Sequence, residues 1–291
     1  MGNEVTLNFS PESLTALNLC LAFIMYSVAL HLQWSNLRYV LASPKAVFVG
    51  VASQYLVLPA VTAFMIYAFD PSPGLAAGMV LLAACPGGNV SNFFTLIGRG
   101  NIELSVTLTT ISSLASAFTT PLLFIGLSAL TLRGSDGPAI ELPFLPTLLT
   151  IGWVIVLPAL AGMATAHRFP SAAAKLKKPL QSLSMLVLIG FIVSALYGNF
   201  GSFIDHIASV FFLIALHHLL ATLGGYGLPW LLRQPKPNRV SIALETSIQN
   251  TALGLVITFN FFDGNGPMAF VLAWWGVWHL IGGYVFARIV R

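Results

Sequence analysis

Apolar runs of about twenty residues follow one another along almost the whole chain, and this repeated length constrains the fold more than any motif. A helix that crosses a bilayer needs ~20 mostly apolar residues, and in lipid a helix satisfies all of its own backbone polar groups. Nine runs of this kind can be read, at about 13–31, 45–68, 73–97, 103–132, 144–167, 179–200, 206–232, 239–259 and 267–288. The breaks between them carry turn chemistry: "DPSPG", "GRGN", "RGSDGP", "QPKPN" and "DGNGP". Composition agrees, because 8% of the residues are charged and 57% hydrophobic, whereas a soluble domain carries roughly 25% charged residues. The expected fold class is therefore an all-α polytopic membrane protein with about nine transmembrane helices. The first run lacks a basic n-region and a clear small-residue cleavage site, so it reads as a span rather than a removed signal. Two cysteines, Cys20 and Cys85, both in apolar runs, are too few for a disulfide framework.

The charges sort by side. Arg38, Lys45, Arg99, Arg168, Lys175, Lys177, Lys178, Arg233, Lys236, Arg239, Arg288 and Arg291 follow odd-numbered runs, and only Arg133 lies opposite. The positive-inside rule then places the N-terminus outside and the C-terminus in the cytoplasm of a cell (inner or plasma) membrane. Glu4, Glu12, Asp70, Asp136, Glu141, Asp205 and Asp263 fall on the outer side. The net charge of +4 is thus a topology signal and does not point to nucleic acid. No obligate protein partner is evident. The implied partners are the bilayer and a small molecule.

One acidic residue falls inside a run. Glu245 sits in "ETSIQN", residues 245–250, with apolar sequence on both flanks. An ionised carboxylate at that depth costs at least ~2.5 kcal/mol, and no Lys or Arg falls deep in any run to offset it. Either Glu245 is protonated, or a cation comes from outside the sequence. Thr246, Ser247, Gln249 and Asn250 surround it with oxygen, the ligand type that Na⁺ and similar hard cations take. That favours an ion site over a lone proton site. A structural buried acid, bonded to a neighbouring helix, is the plainer alternative.

A second run is also interrupted. In "GMVLLAACPGGNVSNFFTLIG", residues 78–98, Pro86 removes a backbone donor and Gly87-Gly88 weaken the helix behind it. Asn89, Ser91 and Asn92 then suit a new helix start. The reading is two half-helices, with a proline kink as the simpler alternative. The interrupted third and eighth runs lie five apart and have opposite orientations, the pattern of an inverted repeat with two crossing discontinuous helices at the binding site. No strong identity links the halves, and the first would lack a counterpart of the run at 144–167.

Other polar positions are less decisive. Ser105, Thr109, Ser112 and Ser116 recur at helical spacing on one face, although such hydroxyls often bond back to their own helix. Gln54 stands alone in "VASQYLVLPA" and would serve equally well to link two helices. His217 and His218 are adjacent and read as packing residues, while His279 is open between packing and a cavity. No Cys/His spacing suggests zinc, and no nucleophile elbow or P-loop is present, so an enzyme is not expected.

"CPGGNVSNFFTLIGRGNIELSVTLTTIS" and "ETSIQNTALG" together resemble the bile acid:sodium symporter family, and the order of Gln54, the "CPGG…SN" break, the hydroxyl stripe and the "E…QN" break fits over nearly the whole chain. The resemblance implies a core domain, about 45–132 and 206–291, and a panel domain, about 13–31 and 144–200. It implies two sodium ions. One would be held by Ser91, Asn92, Ser105, Thr109 and Glu245, the other by Gln54, Glu245, Gln249 and the carbonyls of Thr246 and Ile248. It also places Asn89, Asn250 and His279 within reach of the substrate. Many relatives carry a small residue where this chain has Asn89, and Gly where it has Ser247. The first leaves the substrate open, and the second bears on the backbone of the second ion site. The implied function is sodium-coupled import of an organic anion, bile-acid-like or a small monocarboxylate. A cation–proton antiporter using Glu245 is the alternative.

Overall fold

A computed structural model describes residues 11–30, 39–132, 142–197 and 200–291. Arg38, Arg133, Glu4, Asp136 and Glu141, which entered the charge count, lie outside the described residues. The described chain is helical nearly throughout. In order, the helices are α1 (Pro11–Ala29), α2 (Tyr39–Ala42), α3 (Pro44–Ala52), α4 (Leu58–Phe69), α5 (Pro73–Ala84), α6 (Val90–Ile97), α7 (Ile102–Thr131), α8 (Phe144–Ile151), α9 (Leu157–Arg168), α10 (Pro170–Tyr197), α11 (Phe200–Leu231), α12 (Lys236–Ser247), α13 (Thr251–Phe261) and α14 (Gly266–Val290). Single π turns, Ser53–Val57 and Gly152–Val156, join α3 to α4 and α8 to α9. Among the described residues, five continuous stretches are long and apolar enough to cross a membrane: Pro44–Phe69, Ile102–Thr131, Phe144–Arg168, Val210–Leu231 and Gly266–Val290. Large apolar side chains such as Phe48, Leu56, Trp153 and Leu231 stand exposed on their outer surfaces. A water-soluble protein does not tolerate so much contiguous apolar surface; a lipid-facing one requires it. The chain is an integral membrane protein.

Both π turns run into the same tripeptide, Leu58-Pro59-Ala60 and Leu157-Pro158-Ala159. Proline lacks the N–H for an α-helical bond, and its ring crowds the carbonyl four residues back. One wider turn absorbs both problems without breaking the helix. In the first of these turns the Leu58 N–H reaches back to the Ser53 carbonyl.

The third and eighth runs are divided, as their sequences suggest. α5 ends at Ala84, and Cys85 is extended (φ −68°, ψ 152°), the conformation that a following proline imposes. α12 ends at Ser247, and Ile248 is likewise extended (φ −108°, ψ 108°). The two breaks lie antiparallel and satisfy each other. The Gly88 N–H donates to the Ile248 carbonyl at 2.8 Å, and the Asn250 N–H to the Pro86 carbonyl at 2.9 Å. Helix ends leave backbone groups without partners, and here each break supplies what the other lacks.

The breaks approach this closely because one side has no side chains. A Cβ on Gly87 would overlap the Glu245 carboxylate, and a Cβ on Gly88 would lie 2.9 Å from the Gln249 carbonyl. Small residues bring α14 in as well: Gly276 packs on Thr251, and Gly283 on Phe94 and Ile248. Ser247 behaves differently. It belongs to the last turn of α12, and its hydroxyl returns to the Ala243 carbonyl at 2.9 Å. Nothing in its conformation calls for glycine. Gly88→Ala should therefore lower thermal stability by about 1–3 kcal/mol, the usual cost of overpacking. Ser247→Gly should cost less, about 0.5–1 kcal/mol, through helix propensity alone. Melting of the two purified variants in detergent compares them directly.

Candidate functional site

Glu245 lies in the last turn of α12 and is 2% exposed. Its partners are hydroxyls. Ser91, near the start of α6, donates to Oε2 at 2.6 Å, and Thr109, on α7, donates to the same oxygen at 2.8 Å. Oε1 is buried and has no hydrogen-bond partner. It lies against Gly87, where only hydrogen fills the space a side chain would take. Asn92 presents a second buried oxygen, Oδ1, that is also without a partner. Three elements thus converge on one carboxylate, and no Lys or Arg among the described residues offsets its charge.

The hydroxyl stripe on α7 divides in its behaviour. Thr109 bridges to Glu245 while staying 3.0 Å from the Ser105 carbonyl. Ser105 accepts a bond from Thr95 on α6 at 3.2 Å. Ser112 and Ser116 bond only to their own helix, at the Thr109 and Ser113 carbonyls. Half the stripe therefore reaches across to neighbouring elements, and half returns to its own backbone.

Gln54 connects both breaks. Its Nε2 donates to Gln249 Oε1 at 2.8 Å and to the Cys85 carbonyl at 3.2 Å. Gln249 in turn donates to the Thr246 carbonyl at 2.8 Å. The Ile248 carbonyl accepts from Gly88. The oxygens of this second set are thus largely engaged with one another, unlike those around Glu245 Oε1.

Asn250 caps α13. Its Oδ1 accepts from the Leu253 N–H at 3.2 Å, and its Nδ2 points to Met25 Sδ on α1 at 3.6 Å. Asn89 stands at the equivalent place before α6, half-buried, and its side chain makes no cap. His279 is buried on α14 beside His218 of α11. Its surroundings are those of a packed helix interface. His217 and His218 point less far apart than their adjacency suggests: both rings stand edge-on to Trp275, at 4.9 and 5.4 Å.

Sequence reasoning missed three contributors. Ser53 is fully buried and bonds Thr246 Oγ1 at 2.7 Å. Ser53 opens the π turn, and it reaches Thr246 at the end of α12 while Gln54 beside it reaches Gln249 in the break. The proline downstream was the available signal. Thr95 follows Ser91 by one helical turn and was readable from that spacing. Gly87, singled out only as a helix breaker, makes room for the carboxylate.

Apolar helices surround two paired breaks, and the carboxylate of Glu245 lies among them with no Lys or Arg of the described residues to neutralise it, which is the arrangement of a membrane protein with a polar centre. The profile of the Sodium Bile acid symporter family matches residues 18–206, and the chain belongs to that family. Among its relatives is the uncharacterized sodium-dependent transporter YocS of Bacillus subtilis (strain 168), 28% identical over 268 residues that make up 92% of this chain and 80% of the relative. The probable sodium/metabolite cotransporter BASS1, chloroplastic, of Arabidopsis thaliana is 30% identical over 99% of this chain and 68% of its own length. The ileal sodium/bile acid cotransporter of Cricetulus griseus is 29% identical over 82% of this chain and 67% of its own length.

These contacts rank the polar residues by cost of removal. Gln54→Ala should destabilise the protein by about 1–3 kcal/mol, because it leaves buried partners unsatisfied. Ser116→Ala, which loses only a bond to its own helix, should stay within about 0.5 kcal/mol of the parent. Parallel thermal melts check the ranking.

Proposed function

We propose that this chain is a sodium-coupled symporter that imports an organic anion by alternating access. The observation that carries the reading is Glu245 Oε1: a buried carboxylate oxygen with no partner, while Asn92, next in the chain to the donor Ser91, carries a second unpartnered oxygen. Burying a charge costs several kcal/mol, and both hydroxyl donors bond the same oxygen, Oε2, leaving the other unsatisfied. A cation at Oε1 would supply the missing partner. The donor set is carboxylate, hydroxyl and amide oxygen, which suits a hard ion such as Na⁺. Among the described residues no cluster of His, Cys, Asp and Glu competes as a metal site. Sodium here is cargo, carried down its gradient together with the substrate.

Ser91, Asn92, Ser105, Thr109 and Glu245 are the proposed first ion site. Gln54, Gln249, Glu245 and the carbonyls of Thr246 and Ile248 are the proposed second. Because Gln54 and Gln249 now hold each other, filling the second site requires that amide pair to rearrange. The proposed substrate position lies beside Asn89 and Asn250, with His279 on the neighbouring helix. There the N-termini of α6 and α13 each present roughly half a positive charge to an anion. With sodium neutralising Glu245, an anion can approach without meeting the bare carboxylate. Bile-acid-like and small monocarboxylate anions both fit this chemistry, and the relatives' names give bile acid in one case and metabolite in another. The proposed moving parts are a core, about 45–132 and 206–291, and a panel, about 13–31 and 144–200. In the proposed topology nine spans form an inverted repeat, with the N-terminus outside and the C-terminus in the cytoplasm.

One observation bears on the rival, a cation–proton antiporter. A proton on Glu245 would neutralise it without calling on the other oxygens gathered there, whereas a cation would take up Oε1 together with the Ser91, Thr109 and Asn92 oxygens.

The test is a thermal-shift comparison of purified protein in sodium and potassium salts. At 100 times the dissociation constant sodium should add about 2.7 kcal/mol of stability, and potassium should add far less. Glu245→Gln should melt at the same temperature in both salts. Equal stabilisation by the two cations, or an undiminished sodium shift in Glu245→Gln, would refute the assignment. Uptake into proteoliposomes that followed a proton gradient, with no dependence on sodium, would favour the antiporter.

A further inference from the structure

α1 is held in two unlike ways along its two sides. Toward α9 the contact is close and fixed. Gly162 lies directly under the Tyr26 carbonyl and the Ala29 side chain, where no Cβ could fit, and the Tyr26 hydroxyl bonds Thr165 at 3.2 Å. Toward α13 the contact is different. The helices run antiparallel, from Met25 against Asn250 at one end to Asn18 against Asn260 at the other. Leu17, Leu21 and Met25 form an apolar stripe at four-residue spacing, buried in the same cluster as Leu253, Val256 and Ile257. At the far end the stripe stops, and two amides face each other. Asn260 Nδ2 donates to Asn18 Oδ1 at 3.1 Å, and Asn18 Nδ2 donates back to Asn260 Oδ1 at 3.4 Å. Asn260 Nδ2 also reaches the Val256 carbonyl at 2.8 Å.

We propose that the Asn18–Asn260 amide pair is a latch that closes the α1–α13 interface at the end away from the breaks, and that it parts and re-forms in each transport cycle. The inference rests on the division into a moving core and panel proposed above, with α1 on the panel and α13 in the core. A permanent seam would be served by continued leucine packing, like the stripe beside it. A reciprocal amide pair differs because water replaces both bonds when the helices separate. The pair is partly buried, and Asn260 lies one residue before the end of α13, so the pair sits at the rim of the interface and not at its centre. The pair thus stabilises the closed interface while leaving the open one without stranded polar groups. At the other end of the stripe Met25 covers Asn250, so release of the latch is the step that would uncover the proposed substrate position.

The test uses a reporter inside the interface. Leu21→Cys, in a Cys20→Ala, Cys85→Ala background, places a thiol where Leu21 is now 2% exposed. The full chain in lipid nanodiscs, where both faces are accessible, is treated with a water-soluble maleimide. Adding Asn18→Asp with Asn260→Asp replaces attraction by repulsion, and labelling of the introduced thiol should become several-fold faster. Asn18→Leu with Asn260→Leu should slow it. Should the double aspartate fail to fold, Asn18→Ala with Asn260→Ala removes the bonds without adding charge and should also speed labelling. An unchanged labelling rate in a folded pair variant would overturn the latch. So would a single Asn18→Asp as effective as the pair. The sodium-dependent melting shift, measured on the same proteins, tests the ion assignment separately, because the labelling experiment needs no sodium and no substrate.

Discussion

Two backbone hydrogen bonds between Pro86–Gly88 and Ile248–Asn250 set the conditions for everything around them. Breaking a helix in an apolar setting exposes donors and acceptors that cost several kcal/mol each when left alone. A single broken helix would have to find water or side chains for them. Two broken helices, laid antiparallel, find each other. Once paired, the breaks bring the last turn of α12 against the first turn of α6, and Glu245 meets Ser91 as a result. The carboxylate is therefore positioned by the backbone pairing. Its own hydrogen bonds refine a place that the main chain has already chosen.

Packing around that crossing follows a division of labour between glycine and bulk. Gly87 and Gly88 withdraw, and Glu245 and Gln249 occupy the volume they leave. α14 approaches through Gly276 and Gly283, and α11 through Gly225, which lies beneath Thr246. Small residues let helices approach closely in membranes, where the hydrophobic effect supplies little drive between them. The glycines here do more than tighten contacts. They allow polar side chains from one helix to reach the backbone of another.

Much of this was legible in the residues, for identifiable reasons. Run length announces membrane helices because the bilayer has a fixed thickness. "CPGGN" announces a break because proline and glycine act locally, whatever surrounds them. Glu245 stands out because charge in an apolar run is expensive and rare. The pairing of the two breaks was not legible, since it is a long-range event that no local pattern records. Nor was the sorting of Ser105, Thr109, Ser112 and Ser116: one helical face holds all four, and only the neighbouring helices decide which hydroxyl finds a distant partner. Ser53 escapes notice because helical arithmetic assumes 3.6 residues per turn, and that assumption fails where Ser53 sits. Ser247 looks from the sequence like part of the break, yet it closes the last turn of α12 and the unwound segment starts one residue later.

The π turn before Leu58-Pro59-Ala60 has a consequence for how this stretch can change over evolutionary time. It contains one residue more than an α-helix of the same path. Removing a residue between Ser53 and Val57 would rewind the turn to α along the same path, leaving α3 and α4 on their present faces but taking away the wider turn in which Ser53 and Gln54 sit. Ser53 and Gln54 would lose the local spacing with which they now reach Thr246 and Gln249, although every side chain needed at the breaks was still encoded. At Tyr55, Leu56 and Val57 the constraint thus falls on the number of residues more than on their identity. A length change there should be purged while substitutions drift, and the second π turn at Gly152–Val156 carries the same arithmetic on the other side of the molecule.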